Sequence, residues 1–383
     1  AEKQKATANE RQRKALLGVP EAVEYYKVQI RDILRDQKIT DRWYPKWYES
    51  FEDAIFHELY GFAGLNEWIN PTRDELRDSS SAKIIGDRIY FRINGRPVLQ
   101  PQRISKERRD QLRGSLLLSD PKQLKSDSEN EVYISSDCRI RIKIYNDEKL
   151  TKKNQDSFIF RKQFVKEYTF EKQAEMHSIP YEAIDFFKSM VKLGFNILIV
   201  GAPGTIKTTF LTTWQMYEDD DLEGVQVETD EEINWHKIKP LAPIIELVPR
   251  EQDYKNIMKD ILRSDPDYII IPEARQAIDL FISVEAANRG TDRCKTSYHT
   301  KNSIDICYEI ANKIVAEFGG DLLSTIIRVS QSFNYVFQFK SLPNKAQKRL
   351  NAIWEIRYDP TKMAITMHRI CKHRIKEDDW VWA

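Results

Sequence analysis

The sequence predicts an α/β protein: an open, largely parallel sheet bearing a phosphate-binding loop, preceded by a smaller α+β domain and a helical N-terminal extension. Three observations carry this. The apolar run 197–200 enters a Gly201-Ala-Pro-Gly204 turn, then Lys207-Thr208-Thr209 and a helix-compatible stretch through Leu211 and Trp214. Short apolar strands at 225–227, 244–248, 268–271 and 335–339 follow, several separated by helical stretches, which is the pattern of a parallel sheet. Between 83 and 161 the period is two instead, as in hairpin-connected strands.

At 383 residues the chain has room for two cores, with 41% hydrophobic and 31% charged residues. Residues 1–18 are polar and read as frayed. Residues 21–37 carry Val23, Tyr26, Ile30, Ile33 and Leu34 at helical spacing, completing an extension over 1–44. A second helix is expected at 50–61, ended by Gly61. Residues 85–93 alternate, and Asn94-Gly95 marks a hairpin before 97–99. Ser105 is a plausible N-cap, although Arg108 stands where a capping box wants an acid. The helix 106–117 then carries Arg108, Arg109 and Arg113, read as a solvated face because no aromatic residues interleave them. Strands at 132–135, 139–145 and 158–161 complete an α+β domain over 45–165. The polar stretch 166–180, ending in Pro180, reads as a linker, and 181–383 as the parallel-sheet domain. Its first helix, 181–193, has Ile184, Phe187 and Val191 along one face.

Strand, glycine-bearing turn, Lys-Thr and helix form the order that wraps phosphates with backbone N–H groups. Gly201, Gly204 and Thr205 would shape the cradle, Lys207 reach the outer phosphates, Thr208 ligate Mg²⁺, and Thr209 begin the helix. Ile206 stands where a glycine is expected. At that junction a negative φ is expected, which isoleucine adopts, so the foreseen difficulty is crowding beside the phosphates. The alternative is a strand-turn-helix with an incidental Lys-Thr.

A phosphate cradle that hydrolyses also needs carboxylates and cations. The strand 225–227 runs into Glu228 and Glu232; the strand 268–271 runs into Glu273 and Arg275. Ligands in open α/β sheets bind at that C-terminal edge. Acids also commonly follow strands in ordinary turns, so each alone says little. His299 lies among small polar residues before a helix, and a structural role is as compatible with that as a catalytic one.

The series resembles the secretion-superfamily traffic ATPases of type II, type IV pilus and type IV secretion systems. It is closest to the CpaF-like tight-adherence pilus ATPase branch. Residues 55–65 resemble that branch's leading helix and turn, 87–95 its Asp-Arg-Ile-Tyr hairpin, and Arg139 and Arg161 its arginine-bearing strands. The resemblance spans roughly 50–370 and implies a RecA-like P-loop ATPase domain binding ATP and Mg²⁺. It implies that Glu228 is the general base, that Glu273 belongs to the Walker B element and the Mg²⁺ site, and that His299 is the His-box residue. Arg250 and Arg263 resemble the arginines preceding Walker B, and Arg139 and Arg161 those that approach the phosphates. Thr229 and Pro272 depart from the pattern. A hexameric ring is implied, on the cytoplasmic face of a membrane, with inner-membrane platform or secretion-channel partners.

Competing readings are a degenerate homologue acting as a structural subunit and a RecA-like DNA translocase. A net charge of +1 gives no global argument for a nucleic-acid or membrane surface, so no direct nucleic-acid partner is expected. No apolar run reaches transmembrane length, and the charged start is unlike a signal peptide. The absence of an initial Met suggests a trimmed or incompletely covered N-terminus. Cys138, Cys294, Cys307 and Cys371 form no C-x-x-C or zinc spacing and read as reduced thiols.

Overall fold

A computed structural model describes residues 2–40, 42–117, 130–134, 139–145, 151–163, 169–229, 232–249, 253–344 and 346–383. The chain divides into two compact units, Ala1–Phe164 and Val165–Ala383.

The first unit opens with helices α1 (Glu2–Leu16), α2 (Pro20–Asp36) and α3 (Phe51–Leu59), a 3₁₀ turn at Ala63–Leu65, and short helices α4 (Asn66–Ile69) and α5 (Asp74–Arg77). Strands β1 (Ser81–Ile85), β2 (Arg88–Ile93) and β3 (Arg96–Arg103) follow, then α6 (Lys106–Leu117), β4 (Asn130–Ile134), β5 (Arg139–Tyr145) and β6 (Ser157–Gln163). The strands form one antiparallel sheet in the order β3-β2-β1-β6-β5-β4. Ile84, Phe91, Ile142 and Phe160 bury one face against Leu65, Trp68, Leu112 and Leu116. Asn94 and Gly95 both take positive φ in the expected hairpin turn between β2 and β3.

Three expectations need correction here. Residues 2–16, expected to fray, form α1, whose Ala15 and Leu16 are buried, and Pro20 opens α2 with its fixed φ. The alternating run 85–93 is two strands, because Gly86 (φ +59) turns the chain inside a stretch whose apolar spacing hides the break. Two of the cations of α6, Arg108 and Arg109, do not lie on a solvated face. Arg109 is 3% exposed and grips Asp156 with two hydrogen bonds of 2.8 Å, donating a third to the Ile104 carbonyl. Arg108 is buried too and donates to the Gly61 carbonyl. Leu112 and Leu116 draw α6 onto the core, which carries the preceding turn inward with it. Ser105 does cap this helix, accepting from the Arg108 N–H at 3.2 Å.

The second unit takes in the whole of the expected linker. Helix α7 (Phe170–Glu175) buries Phe170 completely, so much of 166–180 is core rather than connection. There follow α8 (Ala183–Leu193), β7 (Ile197–Gly201), α9 (Lys207–Met216), β8 (Gly224–Val227), α10 (Trp235–Ile238), β9 (Ile244–Leu247), α11 (Tyr254–Ile261), β10 (Tyr268–Ala274) and α12 (Ala277–Asn288). The chain ends with β11 (Lys295–Tyr298), α13 (Ile306–Phe318), α14 (Leu322–Ser332), β12 (Tyr335–Ser341), β13 (Lys348–Asp359), β14 (Ala364–Arg374) and β15 (Asp379–Trp382). The nine strands lie in the order β15-β14-β13-β12-β7-β11-β10-β8-β9. Pairs from β12 to β9 are parallel, and β13, β14 and β15 extend the sheet antiparallel. β11 and the antiparallel extension are additions to the strands expected.

The two faces of this sheet feed separate cores. Leu198, Val200, Ile269 and Ile271 pack on one side, and Ile197, Ile199, Ile270 and Phe337 on the other. Because β7 is buried on both faces, its sequence is continuously apolar, as central parallel strands require. Cys294, Cys307 and Cys371 are buried free thiols, while Cys138 lies outside the described residues. Among the described residues no helix is long and apolar enough to cross a membrane.

Candidate nucleotide site

Four adjacent parallel strands, β7, β11, β10 and β8, end on the same edge of the second sheet. Their ends present the 201–206 loop, His299, Glu273 and Glu228 in turn, so the topology gathers what the sequence spreads over about a hundred positions.

The loop is built from strained and tightly placed backbone. Gly201 has φ +156, and a Cβ there would lie 2.4 Å from the Phe339 carbonyl oxygen, so no other residue fits without movement. Gly204 has φ +72, and a Cβ there would meet nothing within 4 Å, because its outer side is open. Thr205 is buried and its hydroxyl donates to the Ala202 carbonyl at 2.8 Å. The expectation for Ile206 is overturned: it is left-handed, with φ +63 and ψ +19. Such a backbone disfavours a β-branched residue by about 1–2 kcal/mol. The feared crowding is answered by direction, since the side chain packs against the core that contains Phe210 and Phe339. Positive φ at 204 and 206, with a negative φ at Thr205 between them, gives the alternation that turns successive N–H groups into an anion-binding concavity. Among the described residues no side chain caps α9, so its first N–H groups add to that concavity.

Lys207 opens α9 and is 5% exposed. Its ammonium donates to the Ala202 carbonyl at 3.2 Å and to His299 Nδ1 at 2.9 Å. An imidazole nitrogen that accepts from an ammonium is unprotonated, so His299 carries its proton on Nε2 and donates it to Glu273 Oε1. Arg275 Nη2 holds the other Glu273 oxygen at 2.6 Å. Burial pushes the Lys207 ammonium down to about 8, against the pull of the Glu273 and Glu232 carboxylates. Burial also opposes ionisation of Glu273, but hydrogen bonds from His299 and Arg275 outweigh it and hold the carboxyl at about 2.

Glu228 lies beyond β8, 5% exposed, with Oε2 accepting from the Glu232 N–H at 3.1 Å. Burial pushes its carboxyl up to about 8, so a large fraction is protonated at neutral pH. Glu228, Thr229, Glu232, Pro272, Glu273 and Arg275 line one small crevice between the ends of β8 and β10. Thr208 and Thr209 are half-buried in the first turn of α9.

The chemistry of this set fits a Mg²⁺-bound nucleoside triphosphate. A backbone concavity, a helix N-terminus and a buried cation whose hydrogen-bond partners among the described residues are neutral all favour an anion, and Thr208 and Glu273 offer oxygen ligands.

Other residues named from the sequence fall elsewhere. Arg263 is exposed just beyond α11, before β10 begins, and so at the opposite edge of the sheet. Arg161 is exposed on β6, opposite Arg141 of β5. Arg139 opens β5, while Arg250 lies outside the described residues. Asp279 went unnoticed in the sequence. It accepts the Arg275 and Gln276 N–H groups at 2.9 Å each and fixes the turn that aims Arg275. Its signal was a capping box, Gln276 with Asp279 three residues on.

Fold and site together define a two-unit protein, an α+β unit followed by a RecA-like P-loop unit. The chain belongs to the type II/IV secretion system protein family, whose model matches residues 88–348. Among solved structures it is similar to the Legionella pneumophila ATPase DotB, at 16% identity over 76% of each chain with a TM-score of 0.52. It is also similar to the pilus retraction motor PilT with bound ADP, at 16% identity over 69% of this chain and 75% of that one, again with a TM-score of 0.52. The VirB11 ATPase of the Brucella suis type IV secretion system aligns over 79% of this chain and 99% of its own, with 16% identity and a TM-score of 0.40. No curated protein is matched.

Proposed function

We propose that the chain is an ATP hydrolase that drives a secretion, pilus-assembly or conjugation machine, in the CpaF-like tight-adherence branch of its family. The observation that carries this is Lys207, a buried ammonium at the mouth of an uncapped helix whose hydrogen-bond partners are both neutral. Bound Mg²⁺-ATP would supply the phosphoryl group and a metal that draws charge from it. In this reading Gly201, Gly204, Thr205 and Thr209 shape the cradle, Lys207 holds the outer phosphates, and Thr208 with Glu273 takes the metal. Glu228 accepts the proton of the attacking water, and His299 holds Glu273 in place. Arg139, Arg161 and Arg250 supply further positive charge to the phosphates. The working form is a homo-oligomeric ring of six copies on the cytoplasmic face of a membrane, served by platform or channel proteins.

The test is ATP hydrolysis by the assembled protein beside Lys207→Ala and Glu228→Gln. Each change is expected to remove at least about 100-fold of the rate. Wild-type rates in both variants would overturn the roles.

The strain at Ile206 and the protonated Glu228 favour a second reading, a structural subunit with little or no turnover. Calorimetric titration with a non-hydrolysable ATP analogue and Mg²⁺ separates the two: the hydrolase binds, and the structural subunit binds weakly or not at all.

A further inference from the structure

We infer that Ile206 is a positioning residue: its side chain anchors the phosphate loop in the left-handed arrangement before any ligand arrives. The inference rests on the nucleotide reading of 201–209 and adds to it a reason for the one residue that departs from the motif.

A left-handed backbone at isoleucine is disfavoured by about tenfold relative to a right-handed one. Something must hold it there, and the partly buried side chain supplies the hold by packing against the core cluster that includes Phe210 and Phe339. Two further ties flank it. Gly201 lies tight against the Phe339 carbonyl, and the Thr205 hydroxyl returns to Ala202. Pro203 and Gly204, between the ties, are exposed. The loop is thus fastened at both ends and open along its outer arc. Glycine at 206 would reach the same φ without strain but would bring no anchor. Isoleucine exchanges backbone ease for a fixed loop.

The experiment compares Ile206→Gly, Ile206→Asn and Ile206→Ala in the full chain. Glycine and asparagine tolerate left-handed backbone, and alanine does not. Amide hydrogen exchange over 201–207 without nucleotide should be about tenfold faster in all three, since each loses the anchor. Affinity for a fluorescent ATP analogue with Mg²⁺ should fall about tenfold in Ile206→Ala and stay within about threefold in the other two. Unchanged exchange in all three overturns the anchor. Equal loss of affinity in all three overturns the backbone argument. If the wild type itself binds no analogue, the nucleotide reading fails while the exchange measurement still decides the anchor.

Discussion

Arg109 and Lys207 are both cations inside the protein, one in each unit, and their surroundings are opposite in kind. Arg109 is neutralised in place: a bidentate carboxylate at 2.8 Å takes two of its N–H groups and a backbone carbonyl a third. Lys207 has a carbonyl and a neutral imidazole, with the nearest carboxylates held by other groups. A buried charge that is fully paired belongs to the fold, whereas one left with neutral partners is poised for a ligand of opposite sign. The comparison can be broken by experiment. Arg109→Ala should lose about 3–5 kcal/mol in urea unfolding of the full chain, because Asp156 is left buried and alone. Lys207→Ala should stay within about 1 kcal/mol of wild type, since lost hydrogen bonds are offset by relief from burying an ammonium. Similar losses in both would mean that Lys207 is a structural cation after all.

The acids divide in the same way. Asp156 is paired, while Glu228 is buried with no ion pair among the described residues and is pushed up to about 8. A carboxyl whose folded pKa is raised binds protons more tightly in the folded state. Stability from this group is therefore full below about pH 4.5 and is lost as pH rises toward about 8. Glu228→Gln should remove that slope and gain on the order of 5 kcal/mol at pH 9 relative to wild type. Unfolding midpoints measured from pH 4 to 9 decide it; parallel curves for the two proteins would refute the burial argument. If Glu228 is the base, hydrolysis should also rise with pH toward about 8 and fall above it, as Lys207, itself near 8, loses its charge.

These contrasts mark where the sequence was readable. β7 and β10 announced themselves because strands buried on both faces must be apolar throughout. β11 did not, although all four of its residues are buried. Lys295 is paired with Glu218, Thr296 with Ser283, and Ser297 with the Pro272 carbonyl, so a polar sequence fills a central strand using partners from elsewhere. Glu228 and Glu273 stood out as candidates because they come at the ends of apolar runs, whereas His299 follows the strand that its polar sequence hid. The bonds among the site residues were not legible, since the Lys207–His299–Glu273 series crosses three strands whose neighbours only the folded sheet fixes. The solvated reading of Arg108 and Arg109 failed for a related reason. Charge along a helix says nothing of a carboxylate forty-seven positions away.

The smallest effect tests what His299 does for Lys207. The imidazole occupies one hydrogen bond of the ammonium and passes its own proton to Glu273, so it both competes with an incoming phosphate and steadies the metal-side carboxylate. Removing it should move binding and turnover in opposite directions. His299→Ala frees the Lys207 bond, and affinity for a non-hydrolysable ATP analogue should tighten by up to about fivefold, under about 1 kcal/mol. Glu273 meanwhile keeps only Arg275, and kcat should fall about tenfold. Isothermal titration beside steady-state kinetics reads the two separately. Were affinity to weaken tenfold instead, His299 would be a direct contact of the nucleotide, and the neutral imidazole beside Lys207 would be part of the binding surface that the contrast with Arg109 assigns to the lysine alone.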